Sequence, residues 1–297
     1  MLDIRGSVAV ITGGAQGIGR AIGEYWVASG GKVLLVDDSE DRLEEAKKSL
    51  ESLGGDTVAL ACDVVSETDC ARLARKAIEL FGKINLVAPC AAITRDSLVL
   101  DTDESSGKVI GKMSLDNFQS VVNMNLTGVF LTVRECAEQM INHGCQGLIC
   151  LISSTSSLGA AEQLNYVSAK AALSVAPKVL TAEFFRRGLA DRIRCVAVAP
   201  GYVDISPAGG GAPGSAALLT DRQVPTGSRR RGGASRMDSA PADMGEKPAG
   251  GAVDQVPIGR LIDPYEVASL VGELYRNEAL AGDVYSIHGG LRLGSRG

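Results

Sequence analysis

The chain has 297 residues, a hydrophobic fraction of 45% and a formal net charge of −5, enough for one sizeable α/β core. The acidic balance argues against a general nucleic-acid binder, which needs a basic surface. No run of about 18 apolar residues is present, so no membrane span is expected, and the mixed charges of Met1 to Ser7 do not read as a signal peptide.

Seven cysteines (Cys62, Cys70, Cys90, Cys136, Cys145, Cys150 and Cys195) include no CxxC pair. Reduced thiols in a cytoplasmic protein fit better than disulfides or zinc. The only histidines, His143 and His288, lie far apart, so no metal site is expected.

Ser7 to Thr12 is a short β-branched run that reads as a buried strand. It leads into Gly13-Gly14-Ala15-Gln16-Gly17-Ile18-Gly19, and helix formers follow from Arg20 to Ala28. Strand, glycine turn and helix suit a pyrophosphate: glycine lets the backbone approach, and the helix start offers free N–H groups. The alternative is a tight turn that only needs positive φ.

A second strand, Lys32 to Val36, ends in Asp37 and Asp38. An acidic residue there accepts hydrogen bonds from a ribose diol and repels a 2′-phosphate. Neither Gln16 nor Asp38 is basic, so the balance favours NAD(H), with NADP(H) not excluded. Asp38 or Ser39 can cap the helix expected over Glu40 to Ser52.

A third strand, Thr57 to Ala61, precedes Cys62-Asp63-Val64, where Asp63 is either an adenine contact or a helix cap. A helix over Thr68 to Phe81 and a fourth strand over Ile84 to Ala88 continue the alternation, which specifies a doubly wound parallel sheet. Residues 94–116 break the rhythm with the polar stretch Thr102 to Gly107, read as an exposed excursion. Helix returns at Leu115 and continues through Asn125 toward Met140. Asn125 is polar on an apolar stretch, and the bland reading is a core Asn with local hydrogen bonds.

A fifth strand, Leu148 to Ile152, ends in Ser153-Ser154-Thr155-Ser156-Ser157 at the carboxyl edge, where open α/β sheets bind ligands. The helix from Asn165 to Arg187 then places Tyr166 and Lys170 one turn apart. An ammonium beside a phenol is expected to push it toward phenolate. Pro177 inside this helix is expected to kink it. A sixth strand, Ile193 to Val198, leads to Pro200-Gly201. Residues 207–256 are rich in Gly, Ala, Pro and Ser and carry Arg229-Arg230-Arg231, read as a substrate-lid insertion. Helix over Pro264 to Arg276 and a last strand over Asp283 to His288 close the pattern.

The order of these motifs resembles the short-chain dehydrogenase/reductase family over nearly the whole chain except the insert. Ala92 to Leu98, Gly107-Lys108-Val109, Lys112-Met113-Ser114 and His288 to Leu293 further resemble bacterial 3-oxoacyl-[acyl-carrier-protein] reductase-like members. The resemblance implies one Rossmann-type domain of about seven parallel strands with helices on both faces. It implies a catalytic tetrad of Asn125, Ser154, Tyr166 and Lys170. Tyr166 would be the general acid/base, Lys170 would lower its pKa and hold the nicotinamide ribose, the serine would polarise the carbonyl, and Asn125 would hold a relay water. Counting back from Tyr166 points to Ser153, whereas aligning the strand end favours Ser154.

The resemblance places the cofactor on Gly13, Gln16, Gly17, Ile18, Gly19, Asp37, Asp63, Val64, Ala91, Tyr166, Lys170, Pro200, Gly201 and Val203. Its expected partners are a small-molecule or thioester-linked carbonyl substrate, an acyl-carrier protein and further copies of the chain in a homodimer or homotetramer. The activity it implies is carbonyl–alcohol interconversion. A free sugar, steroid or secondary-metabolite alcohol and a catalytically weak scaffold are the alternatives. Three departures stand out: Pro89-Cys90-Ala91-Ala92 where the family has Asn-Asn-Ala-Gly, Ile205 where a Thr is usual, and Pro177.

Overall fold

The computed structural model describes residues 1–205 and 252–291. Most of the 207–256 insert, Arg229–Arg231 included, and the tail after Leu291 lie outside the described residues.

The core is a seven-stranded sheet built from β1 (Val8–Thr12), β2 (Lys32–Asp37), β3 (Asp56–Ala61), β4 (Leu86–Pro89), β7 (Gly147–Ile152), β8 (Ile193–Pro200) and β9 (Val284–Ile287). Its order is β3-β2-β1-β4-β7-β8-β9, every neighbouring pair parallel. The fold is the expected doubly wound Rossmann-type one. Because both faces are covered, β1, β7 and β8 are buried at every position, which explains their continuous apolar runs.

Helices α1 (Gly17–Ala28), α2 (Glu40–Ser52) and α7 (Pro264–Arg276) cover one face, with Ile22, Trp26, Leu43, Leu50 and Val271 in its core. Helices α3 (Glu67–Phe81), α5 (Gly128–Asn142) and α6 (Leu164–Arg186) cover the other, with Leu73, Val129, Met140 and Leu173. The order reverses direction between β1 and β4. Such a switch point opens a crevice at the strands' carboxyl ends.

Two local features differ from the sequence expectation. The excursion after β4 contains a two-stranded antiparallel hairpin, β5 (Leu100–Thr102) with β6 (Val109–Lys112). Its turn is fixed by the Asp103 carboxylate, which accepts from Ser105 Oγ and Ser106 N. The helix expected to run through Asn125 is instead α4 (Leu115–Val122), a π turn over Asn123–Thr127, and then α5. As expected, α6 runs through Pro177 as one helix. Pro177 is itself buried.

Among the described residues, no helix is long and apolar enough to cross a membrane. None of the seven cysteines is in a disulfide.

Candidate active site

A cavity of about 550 Å³ occupies the switch-point crevice. One wall is the turn between β1 and α1. Gly13 has φ +61° and Gly17 φ +53°, both left-handed. A Cβ on Gly13 would stand 2.6 Å from Ala91 N, and one on Gly19 would stand 2.2 Å from Gly13 O. The glycines are therefore required by close backbone packing as well as by φ. Cys90 N donates to Thr12 O at 3.0 Å, so Pro89-Cys90-Ala91-Ala92 still lies tightly against the glycine turn despite its departure from the family pattern.

Helix α1 begins at this wall with no side-chain cap on its N-cap Gln16 and no acidic residue in its first turn. The amides of Gly17, Ile18 and Gly19 take no partner among the described residues. Orphan amides at an uncapped helix start that line a cavity form an anion cradle. This donor set fits the pyrophosphate of a dinucleotide.

Asp37, at the end of β2, is buried. Its Oδ2 accepts from Ala15 N at 3.3 Å, and its Oδ1 from Asp38 N at 3.0 Å and Ser39 N at 3.4 Å. Ser39, not Asp38, caps α2. Asp63 and Val64 also line the cavity. The Asp63 carboxylate accepts from Val65 N at 2.9 Å, while Ser66 caps α3, so Asp63 is a cavity residue and not a helix cap. Pro200, Gly201, Val203, Ile205, Ala91 and Ile93 line the cavity together with Tyr166 and Lys170.

At the far end the structure separates the two serines. Ser153 Oγ donates to Lys170 O at 2.9 Å and lies 2.7 Å from Ser174 Oγ, so it ties β7 to α6. The Ser154 hydroxyl lies in the cavity near enough to the Tyr166 phenol to lower its pKa, and it accepts from Ser156 N at 3.1 Å.

Lys170 is 3% exposed. Its Nζ donates to Ile152 O at 2.8 Å and lies 5.5 Å from the centre of the Tyr166 ring. Burial pushes Lys170 down to about 8. Burial also pushes Tyr166 up to about 12, against the lowering effect of the Ser154 hydroxyl and helped by the Asp96 carboxylate. This reverses the expectation of a phenol driven toward phenolate by its lysine. Dehydration disfavours the charged form of both groups and is the largest cause at each. At neutral pH the Tyr166 phenol therefore carries its proton.

Asn125 is fully buried and does not line the cavity. Its Oδ1 accepts from Ile93 N and its Nδ2 donates to Ile93 O, both at 2.8 Å. The extra residue in the π turn aims the amide inward, a use common at functional sites. Asn125 thus clamps the backbone of Ile93, which lines the cavity.

Sequence reasoning missed Arg42. It lines the cavity and bonds Asp37 and Asp38 from the first turn of α2. Neither Gln16 nor Asp38 is basic, but Arg42 stands four residues beyond Asp38. That i,i+4 spacing was the available signal.

An anion cradle, a buried carboxylate and a protonated phenol beside a hydroxyl share one crevice, an arrangement that fits an oxidoreductase with a nicotinamide nucleotide. Residues 7–211 match the family described as short chain dehydrogenase, and the chain belongs to that family. It is 27% identical over 292 residues to the 3-oxoacyl-[acyl-carrier-protein] reductase of Salmonella typhimurium, covering 98% of this chain and 99% of that protein. It is 30% identical over 203 residues to the reductase of the same name from Chlamydia pneumoniae, covering 68% and 76%. An uncharacterized oxidoreductase of Thermotoga maritima is 30% identical over 204 residues, covering 68% and 73%.

Proposed function

We propose that this chain reduces a 3-oxoacyl thioester, carried on an acyl-carrier protein or coenzyme A, with NADH as its preferred donor. The observation that carries the reading is the Ser154–Tyr166 hydroxyl pair, set in the same cavity as the glycine cradle and Lys170. A bound nicotinamide supplies the hydride. Tyr166 donates its proton to the carbonyl oxygen, and its high pKa keeps that proton available at neutral pH. Ser154 hydrogen-bonds the same oxygen, so negative charge developing there meets a hydroxyl donor.

Lys170, fixed to the Ile152 carbonyl, holds the nicotinamide ribose. Asn125 positions the cavity lining by holding the backbone of Ile93. The orphan amides of Gly17, Ile18 and Gly19 bind the pyrophosphate, and Asp37 takes the adenosine ribose. A homodimer or homotetramer working in the cytoplasm fits the resemblance to carrier-protein reductases.

Fluorescence titration with NADH and NADPH, followed by addition of acetoacetyl thioester, tests the reading. Binding with turnover supports it. Binding with turnover only on a free sugar or steroid alcohol replaces the substrate. Binding without turnover on any carbonyl makes the chain a scaffold relative.

A further inference from the structure

Tyr166 stands in the first turn of α6, where a helix leaves its leading amides without intrahelical partners. The N-cap Gln163 offers no side-chain bond to that turn, and helical bonding starts with Val167 N donating to Gln163 O at 2.7 Å. The Tyr166 amide is taken instead by the side chain beside it: Asn165 Oδ1 accepts from Tyr166 N at 2.8 Å. Lys170 stands a full turn further along and is held by the Ile152 carbonyl.

Asn165 is itself fastened through its other amide atom. Fully buried, it donates from Nδ2 to Arg95 O at 2.9 Å and to Asn117 Oδ1 at 3.3 Å. Its neighbours extend the contact in step: Gln163 Nε2 donates to Asp96 Oδ2 at 2.8 Å, and Glu162 O accepts from Ser97 N at 2.8 Å. Asn117 Nδ2 completes the clasp by donating to Ser97 Oγ at 3.2 Å. The start of α6 is thus docked on residues 95–97 and on α4. Glu162 is held at φ +65°, the one non-glycine residue with positive φ among the described residues. Such a backbone persists only where its surroundings fix it, and it gathers at functional sites.

We propose that Asn165 is a positioning residue for proton donation from Tyr166, fixing the first turn of α6 against Arg95 and Asn117 so that the phenol meets the substrate oxygen. This rests on reading Tyr166 as the acid of a carbonyl reduction. A general acid works only within hydrogen-bond reach of its acceptor, about 2.6–3.2 Å, and a misplacement of ~1 Å costs on the order of 10²-fold in rate. An uncapped first turn frays easily. One side chain that takes the Tyr166 amide and ties it to two other elements removes that freedom.

The test is the kinetics of acetoacetyl thioester reduction by NADH, with Asn165→Ala placed in the wild-type and Tyr166→Phe backgrounds. Asn165→Ala is expected to lower kcat by roughly tenfold or more. KM for the thioester and the NADH affinity read by fluorescence should change by less than about threefold. In the Tyr166→Phe background no phenol remains to be aimed, so the same substitution should change the residual rate by less than about twofold. Asn117→Ala, which cuts the tie to α4 and leaves Arg95 in place, should lower kcat by roughly threefold and be equally silent beside Tyr166→Phe.

An unchanged kcat in Asn165→Ala overturns the proposal and leaves the proposed reaction standing. An equal loss in both backgrounds, or a loss of NADH affinity that matches the loss of kcat, also overturns it and makes Asn165 a structural residue only. If Asn165→Ala does not fold, Asn117→Ala decides: an unchanged kcat, or a loss that persists beside Tyr166→Phe, overturns the proposal. A wild-type chain that binds NADH but reduces no thioester, or a Tyr166→Phe chain with wild-type turnover, overturns the reaction assigned to the site and this proposal with it.

Discussion

Lys170→Met is expected to stabilise the cofactor-free protein while abolishing turnover. The wild-type ammonium is buried with one hydrogen-bond acceptor, the Ile152 carbonyl at 2.8 Å, and burial lowers its pKa from 10.5 to about 8. At ~1.4 kcal/mol per pH unit, keeping it charged in the fold costs roughly 3 kcal/mol. Met fills the space of the lysine stem but leaves the Ile152 carbonyl without its donor, which takes back ~1 kcal/mol. The net gain is therefore roughly 2 kcal/mol.

The gain has a defined pH window. The folded pKa lies below the unfolded one, so between about pH 8 and 10.5 the unfolded chain binds more protons, and wild-type stability rises with pH there. The advantage of Lys170→Met is full below pH 8 and fades as pH rises toward 10.5. Urea unfolding of both proteins at pH 7 and pH 10 measures this directly. A variant no more stable than wild type at pH 7, or a difference that is flat with pH, would refute the reasoning that dehydration dominates at Lys170.

Tyr166→Phe should reduce thioester turnover by roughly 10²-fold or more, the scale of a lost general acid, with nucleotide affinity nearly unchanged. Substantial residual turnover in steady-state assays would remove Tyr166 from the acid role. The two neighbouring serines should part company. Ser154→Ala is expected to lower kcat with little loss of stability, whereas Ser153→Ala, which breaks the tie to Lys170 O and Ser174, should lose about 1–2 kcal/mol in denaturant melts and keep most activity. Swapped phenotypes would make Ser153 the functional hydroxyl. Gly13→Ala places a Cβ 2.6 Å from Ala91 N at φ +61°, so it should destabilise by about 1–3 kcal/mol and weaken binding of both nucleotides. A folded, fully binding Gly13→Ala would contradict the packing argument.

The sequence by itself determined whatever depends on local periodicity. The β1–glycine turn–α1 unit, the alternation that makes a doubly wound sheet, the Glu40–Ser52 and Pro264–Arg276 helices and the one-turn spacing of Tyr166 and Lys170 are written in neighbouring residues. Propensity, glycine placement and capping act over a few positions.

Tertiary structure decided what depends on direction and dehydration. Ser153 and Ser154 are adjacent and chemically alike, and only packing against α6 turns one toward Ser174 and the other toward the phenol. Asn125 reaches Ile93 because a π turn, invisible in an apolar run, rotates it inward. The Tyr166 pKa is raised and the Lys170 pKa lowered because both groups are buried, a property of the whole fold that their spacing does not show. Arg42 reaches Asp37 because α2 returns its first turn to the end of β2. A side chain's partner and its loss of water are set by what the chain brings beside it from elsewhere, and no local pattern encodes that.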